Sequence, residues 1–95
     1  MTTTTLTTLH VPSMLRAHCG GAARLAMAGA TVREVFDELE RRHPDLHCCI
    51  RDETGAVRRH VGVFVNTDHI RDLQGLETPL GPGDSITVLP AVSGG

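Results

Sequence analysis

Between Thr7 and Val11 the chain alternates as "TTLHV", which sets Thr7, Leu9 and Val11 on one side of an extended backbone and Thr8 and His10 on the other. This predicts a strand, closed by Pro12 and Ser13. Beyond "MLRAHCGG", where Cys19 to Gly21 reads as a turn, "ARLAM" predicts a second short strand with Leu25 and Met27 facing inward, pairing with the first as a hairpin. The period then changes. In "ATVREVFDELERRHP", Val32, Val35, Phe36 and Leu39 recur at helical spacing. Thr31 followed by Glu34 matches a capping box, Arg41 and Arg42 suit the negative end of the helix dipole, and Pro44 opposes continuation. From Pro44 to Arg59 the pattern fades to the anchors Leu46, Ile50 and Val57, with "DETG" as a turn, so a loop with at most one short helical turn is expected. Alternation returns in "HVGVFVN", with Val61, Val63 and Val65 on one side and Gly62 and Phe64 on the other. "NTDH" turns the chain, Ile70 and Arg71 are expected to begin a short return strand, and "TPLGPGDS" is loop. A last strand, "SITVLP", puts Ile86 and Val88 inward and Thr87 and Leu89 outward.

The order is thus β-β-α-β-(β)-β, an α+β chain. One amphipathic helix cannot cover both faces of four or five strands, so it lies across one face of a mixed sheet and leaves the other to water. The early hairpin and right-handed crossovers favour a β-grasp (ubiquitin-like) arrangement with the first and last strands parallel and adjacent. The expected organisation is a single domain over residues 1–95, with 1–5 disordered and 91–95 a flexible tail that leaves the edge of the sheet.

Composition narrows the function. With 95 residues there is material for one core, and 40% hydrophobic against 21% charged residues is ordinary for a folded globule. A formal charge of −2 without runs of like sign speaks against nucleic acid or a membrane surface as partner, and Phe36 and Phe64, the only aromatics, leave no base-stacking platform. The start lacks a basic segment followed by an apolar run, no stretch is apolar enough for a membrane span, and Cys19, Cys48 and Cys49 form a poor disulfide framework, so a cytoplasmic location is expected. All nine basic residues are arginine, so no side-chain amine is on offer as an acyl acceptor.

The chemistry concentrates in "AVSGG". Gly94 and Gly95 lack a Cβ and can thread a narrow channel, and a terminal carboxylate becomes reactive once another enzyme makes its oxygen a leaving group. Ordering a tail costs roughly 1–2 kcal/mol per residue, so recognition also needs a preformed surface. Phe64 and Leu89, both on the side away from the helix, are the candidate docking patch. A thiol enzyme is the rival reading, with His47 beside Cys48 and Cys49 and with Cys19 as resolving thiol; a metal site at His43, His47 and Cys48 is another. The remaining histidines, His10, His18, His60 and His69, are scattered and read as solvated or locally bonded, Asp84 as turn chemistry, and Asp37, Glu38 and Glu40 as the wet side of the helix. No residue is assigned a catalytic or metal-binding role.

The β-grasp order, "VNTDHIRDLQGLETPLGPGDS" and "GDSITVLPAVSGG" together resemble the ubiquitin-like sulfur carriers of the ThiS/MoaD family, and "VPSMLRAHCGG" with "LPAVSGG" resembles its CysO type. The resemblance implies a carrier acting as co-substrate rather than an enzyme. An E1-like enzyme using ATP and magnesium would adenylate the carboxylate of Gly95, and a sulfur donor would displace AMP to leave a thiocarboxylate. Gly94, Ser93, Val92 and Ala91 would form the recognised tail, with Ser93 standing where alanine is common. A pyridoxal-phosphate cysteine synthase and a zinc peptidase would follow in the CysO type. Relatives serve thiazole, molybdopterin or thiosugar synthesis, and a protein-modifying role remains open.

Overall fold

Alternating burial builds the sheet that the hydrophobic pattern predicts. The computed structural model describes residues 6–90; the expectations on residues 1–5 and on Ala91, Val92, Ser93, Gly94 and Gly95 lie outside them. Five strands, β1 (Leu6–His10), β2 (Arg24–Ala28), β3 (Val61–Val65), β4 (Asp68–His69) and β5 (Ser85–Pro90), form one sheet in the order β2-β1-β5-β3-β4. β1 pairs antiparallel with β2 and parallel with β5, and β3 lies antiparallel to both β5 and β4. This is the β-grasp arrangement, with first and last strands adjacent. β5 is the central strand, so the chain reaches residue 91 from the middle of the sheet and not from its edge.

Thr7, Leu9, Val11, Met27, Val61, Val63, Val65, Ile86 and Val88 are buried on one face, and helix α1 (Val32–Arg42) lays Val32, Val35, Phe36 and Leu39 against them. Thr31 caps α1 by accepting from the Glu34 N–H at 3.2 Å. The Glu34 carboxylate reaches past the cap and accepts from the Ala30 N–H at 3.1 Å, so the capping box closes one residue earlier than its usual form.

Three segments depart from the expected pattern. Pro44 begins a second helix, α2 (Pro44–Ile50), because the first turn needs no N–H from its leading residue; Leu46 and Ile50 fall four apart and enter the core. Residues Ser13–Cys19 form a 3-10 helix whose end is turned by Gly20 and Gly21, both at positive φ. The return strand is Asp68–His69, two residues ahead of the Ile70–Arg71 expectation; Ile70 instead starts a 3-10 turn that delivers its side chain to the core.

Candidate functional site

The helices pack on one face of the sheet, and strand parity fixes what the other presents. Cross-strand register aligns Arg24, His10, Thr87, Phe64 and His69 in one row, with Leu89 opposite Gly62 in the next. Leu89 is 50% exposed and Phe64 half-buried. The Phe64 ring folds back over Gly62: a Cβ placed there would stand 3.3 Å from the ring's Cε1. A side chain at 62 would therefore prop the ring away from the strand. The ring also meets His69 edge-on, centroids 5.0 Å apart and planes at 70°. His69 is in turn oriented by accepting the Arg71 N–H on Nδ1 at 3.1 Å. The two residues expected to form a patch are thus on one open surface, and His69, read from sequence as merely solvated or locally bonded, joins them. Its membership follows from the β3–β4 register, which places it directly across from Phe64.

The base of this surface is held by two turns that sequence reading treats separately. Asn66, at φ 57°, donates from Nδ2 to Asp84 Oδ1 at 3.1 Å and accepts the Ser85 N–H on Oδ1 at 3.1 Å. Asp84 Oδ2 also accepts the Gly81 N–H at 2.8 Å. These bonds, the one from Gly81 first, hold the Asp84 carboxyl below its ordinary range. Asp84 is the turn residue it was expected to be, and it also fastens the β3–β4 hairpin to the start of β5.

The second polar cluster lies behind α1. Arg51, 4% exposed, donates from Nε to His47 Nε2 at 2.8 Å and from Nη2 to Asp37 Oδ1 at 2.9 Å, with its guanidinium 5.7 Å from the Phe36 ring centroid. Asp37 is therefore an anchor for a buried cation as well as a wet helix residue. Burial, and then the Arg51 charge, lower the His47 pKa against the opposing pull of Glu40 and Asp37. His47 must be neutral to accept from Arg51. The cleft in front of it, about 430 Å³, mixes Arg33, Arg51 and Arg58 with Asp37, Glu40, Asp52 and Glu53, so no single charge dominates.

This arrangement removes the imidazole from the neighbouring thiols. Burial, followed by Cys48, raises the Cys49 pKa, which disfavours the thiolate, and Cys49 Sγ lies 3.5 Å from the Asp45 carbonyl. Cys19 is buried with Sγ 3.5 Å from the carbonyls of Arg16 and Ala22. The three thiols are free and in three different settings, buried, exposed and intermediate, so the pattern expected of a thiol enzyme is not assembled. Among the described residues no three His, Cys, Asp or Glu side chains are grouped to hold a metal ion, and no helix is long and apolar enough to cross a membrane.

Comparison with known proteins agrees with the fold. The ThiS family model matches residues 15–95, a span that includes Gly94 and Gly95. The sulfur carrier protein CysO of Mycobacterium tuberculosis is 36% identical over 90 residues, 93% of this chain and 97% of that protein. The crystal structure of the Amycolatopsis orientalis BexX/CysO complex contains a chain that superposes with a TM-score of 0.85 at 38% identity, covering 94% of this chain and 99% of that one. The solution structure of small archaeal modifier protein 1 from Methanosarcina acetivorans gives 0.82 at 30% identity, covering 99% and 100%. A β-grasp body, a family match through the glycine pair and near full-length similarity to CysO converge: the chain belongs to the ThiS family of small ubiquitin-like sulfur carriers.

Proposed function

We propose that this protein carries sulfur as a C-terminal thiocarboxylate on Gly95 and delivers it for cysteine synthesis in the cytoplasm. The observation that carries the reading is the 36% identity to CysO over 93% of the chain, with the family match running through Gly95. Carboxylate oxygen attacks the α-phosphorus of magnesium-bound ATP on an E1-like enzyme, expelling pyrophosphate and giving an acyl adenylate. A sulfide-level donor then attacks the acyl carbon and AMP leaves, so that one oxygen has become sulfur. Neither step needs a catalytic group or bound cofactor from the carrier itself. Its own contribution is positional: Ala91, Val92, Ser93, Gly94 and Gly95 thread the partner's channel, while Phe64, His69 and Leu89 seat the body. A pyridoxal-phosphate synthase would accept the sulfur and a zinc peptidase would free the product.

A second reading has its own support, since a protein named as a modifier matches at 30% identity. In that case Gly95 would end in an amide to a target amine. Intact-mass measurement after incubation with a cognate activating enzyme, ATP, magnesium and sulfide separates the two. Exchange of one oxygen for one sulfur, followed by cysteine release when synthase and peptidase are added, supports the proposal. Conjugates to other proteins with no sulfur gained would replace it with the modifier reading.

A further inference from the structure

A different surface lies at the edge of the sheet far from Phe64. The sheet ends on one side in β4, two residues long, and on the other in β2, five residues long. Ladder parity shows which backbone groups of β2 are already bonded. The Val11 N–H bonds the Ala23 carbonyl at 2.8 Å, and antiparallel bonds recur at every second pair, so the pairs Leu9–Leu25 and Thr7–Met27 exchange bonds across the ladder. Arg24, Ala26 and Ala28 therefore turn their N–H and C=O groups away from β1. Arg24 and Ala26 are exposed and Ala28 is half-buried, whereas the buried Met27 commits its backbone to β1 and its side chain to the core. Among the described residues no strand lies outside β2. One outward group is covered. The Ala26 carbonyl, at the midpoint of the strand, accepts from Arg42 Nη1 at 3.0 Å, and the same nitrogen stands 3.7 Å from Met27 Sδ.

Long free edges invite pairing, and proteins commonly blunt them with charge. The edge of β2 is self-complementary. An antiparallel copy centred on Ala26 sets Ala26 opposite its own counterpart, Arg24 opposite the second copy's Ala28, and Leu25 opposite the second copy's Met27. The three outward residues then all fall in hydrogen-bonded pairs, for about six bonds between the copies. Arg24, the one charged side chain of the strand, meets a methyl group, and the apolar row of Leu25 and Met27 continues across the joint. Arg42 opposes this pairing. It occupies the carbonyl that would lie on the two-fold axis, and a second copy would bring a second guanidinium to the same point. Among the described residues no carboxylate is within ion-pair distance of Arg42, and Glu38, one turn back on α1, is paired with Arg41, so two such charges would meet uncancelled. We infer that the edge of β2 is a surface for a second copy of this chain and that Arg42 is the stop that holds it closed. Phe64 lies on β3, beyond β1 and β5, so a partner on that face and a copy on this edge would not compete. The inference does not depend on sulfur chemistry.

Sedimentation velocity over a concentration series, on the full chain and on Arg42→Ala, tests this. Arg42→Ala is expected to dimerise with a dissociation constant about tenfold or more below the parent's. In a mixture of 13C-labelled and unlabelled Arg42→Ala, a contact between Leu25 Hα of one copy and Met27 Hα of the other is expected, because these residues form the pair without hydrogen bonds, in which the two backbones are closest. Adding Ala26→Pro should restore the monomer, since it removes an outward N–H but none that bonds β1, a change edge strands tolerate. Arg42 is exposed, so its replacement is expected to leave the fold intact, which circular dichroism checks for both variants. The inference is overturned if Arg42→Ala stays as monomeric as the parent, if the parent dimerises equally well, if the contacts between copies lie elsewhere, or if a folded Arg42→Ala/Ala26→Pro variant still dimerises. Should the double variant lose its fold, the Leu25–Met27 contact decides.

Discussion

His47 and Arg51 set a pH limit on the fold. The imidazole is 7% exposed, its Nε2 lone pair receives the Arg51 N–H, and a proton there would face a buried guanidinium. Around it stand Asp37 and Glu40 from α1, which favour the proton, and Arg51, which opposes it; burial is the largest single effect and also opposes it. Because the folded state lowers the His47 pKa from 6.5, it binds fewer protons than the unfolded chain. The resulting stabilisation is present above pH 6.5 and is lost as pH falls through the lowered value. Urea titrations from pH 8 to pH 5, run on the protein and on His47→Gln, check this. The glutamine carbonyl can still accept from Arg51 but does not titrate, so the stability difference between the two proteins should shift against the parent below pH 6.5; parallel curves would remove His47 as the cause. From sequence alone His47 stands beside two cysteines and invites a thiol reading. Its actual partner is four residues on, one helical turn away, and that pairing is legible only once Pro44 is recognised as starting a helix.

At the scale of elements, the regular pieces were legible wherever burial repeats with the backbone period. β1 and β5 each commit two side chains to the core at a spacing of two, β3 three, and α1 four at spacings of three and four, and these, with β2, are elements the pattern predicts. Helix α2 is too short for a period to show in seven residues, and β4 too short to alternate at all. Their positions are set by tertiary contacts, by α2 packing on α1 and on the Ser13–Cys19 segment and by the hairpin register, which no local pattern encodes. The β2–α1 junction is another such case. Gly29 has no positive φ to explain it, yet a Cβ there would lie 2.8 Å from the Val35 N and 2.9 Å from Val35 Cγ2. One contact is helix backbone, so α1 itself must move. Gly29→Ala is expected to destabilise the protein by about 1–3 kcal/mol, read from the urea midpoint. An unchanged midpoint would mean that the helix shifts freely on the sheet, contrary to the buried contacts of Val32, Val35, Phe36 and Leu39.

For the molecule as a whole, the proposed division between a gripping body and a reacting tail makes the two separable by mutation. Phe64 lies on the open face against Gly62 and His69, outside the core, so Phe64→Asp should cost the fold only about 1 kcal/mol, the span of strand propensities. The same change puts a carboxylate into the proposed docking surface, and in the centre of an interface single truncations commonly remove about 2 kcal/mol or more of binding. Thiocarboxylate formation by the activating enzyme at limiting carrier is therefore expected to slow about tenfold or more. Leu6→Asp is the matched control: Leu6 is 59% exposed on the same face but sits on β1 opposite Ala28, away from the Phe64 row, and should load at the parental rate. Removing Gly94 and Gly95 should produce the opposite split, with the body still competing for the activating enzyme while no sulfur is loaded. If Leu6→Asp slows loading as much as Phe64→Asp, the whole face acts as a diffuse apolar surface and no local grip exists. If Phe64→Asp loads normally, the tail alone suffices, and the ordering cost of its five residues is met entirely within the partner's channel.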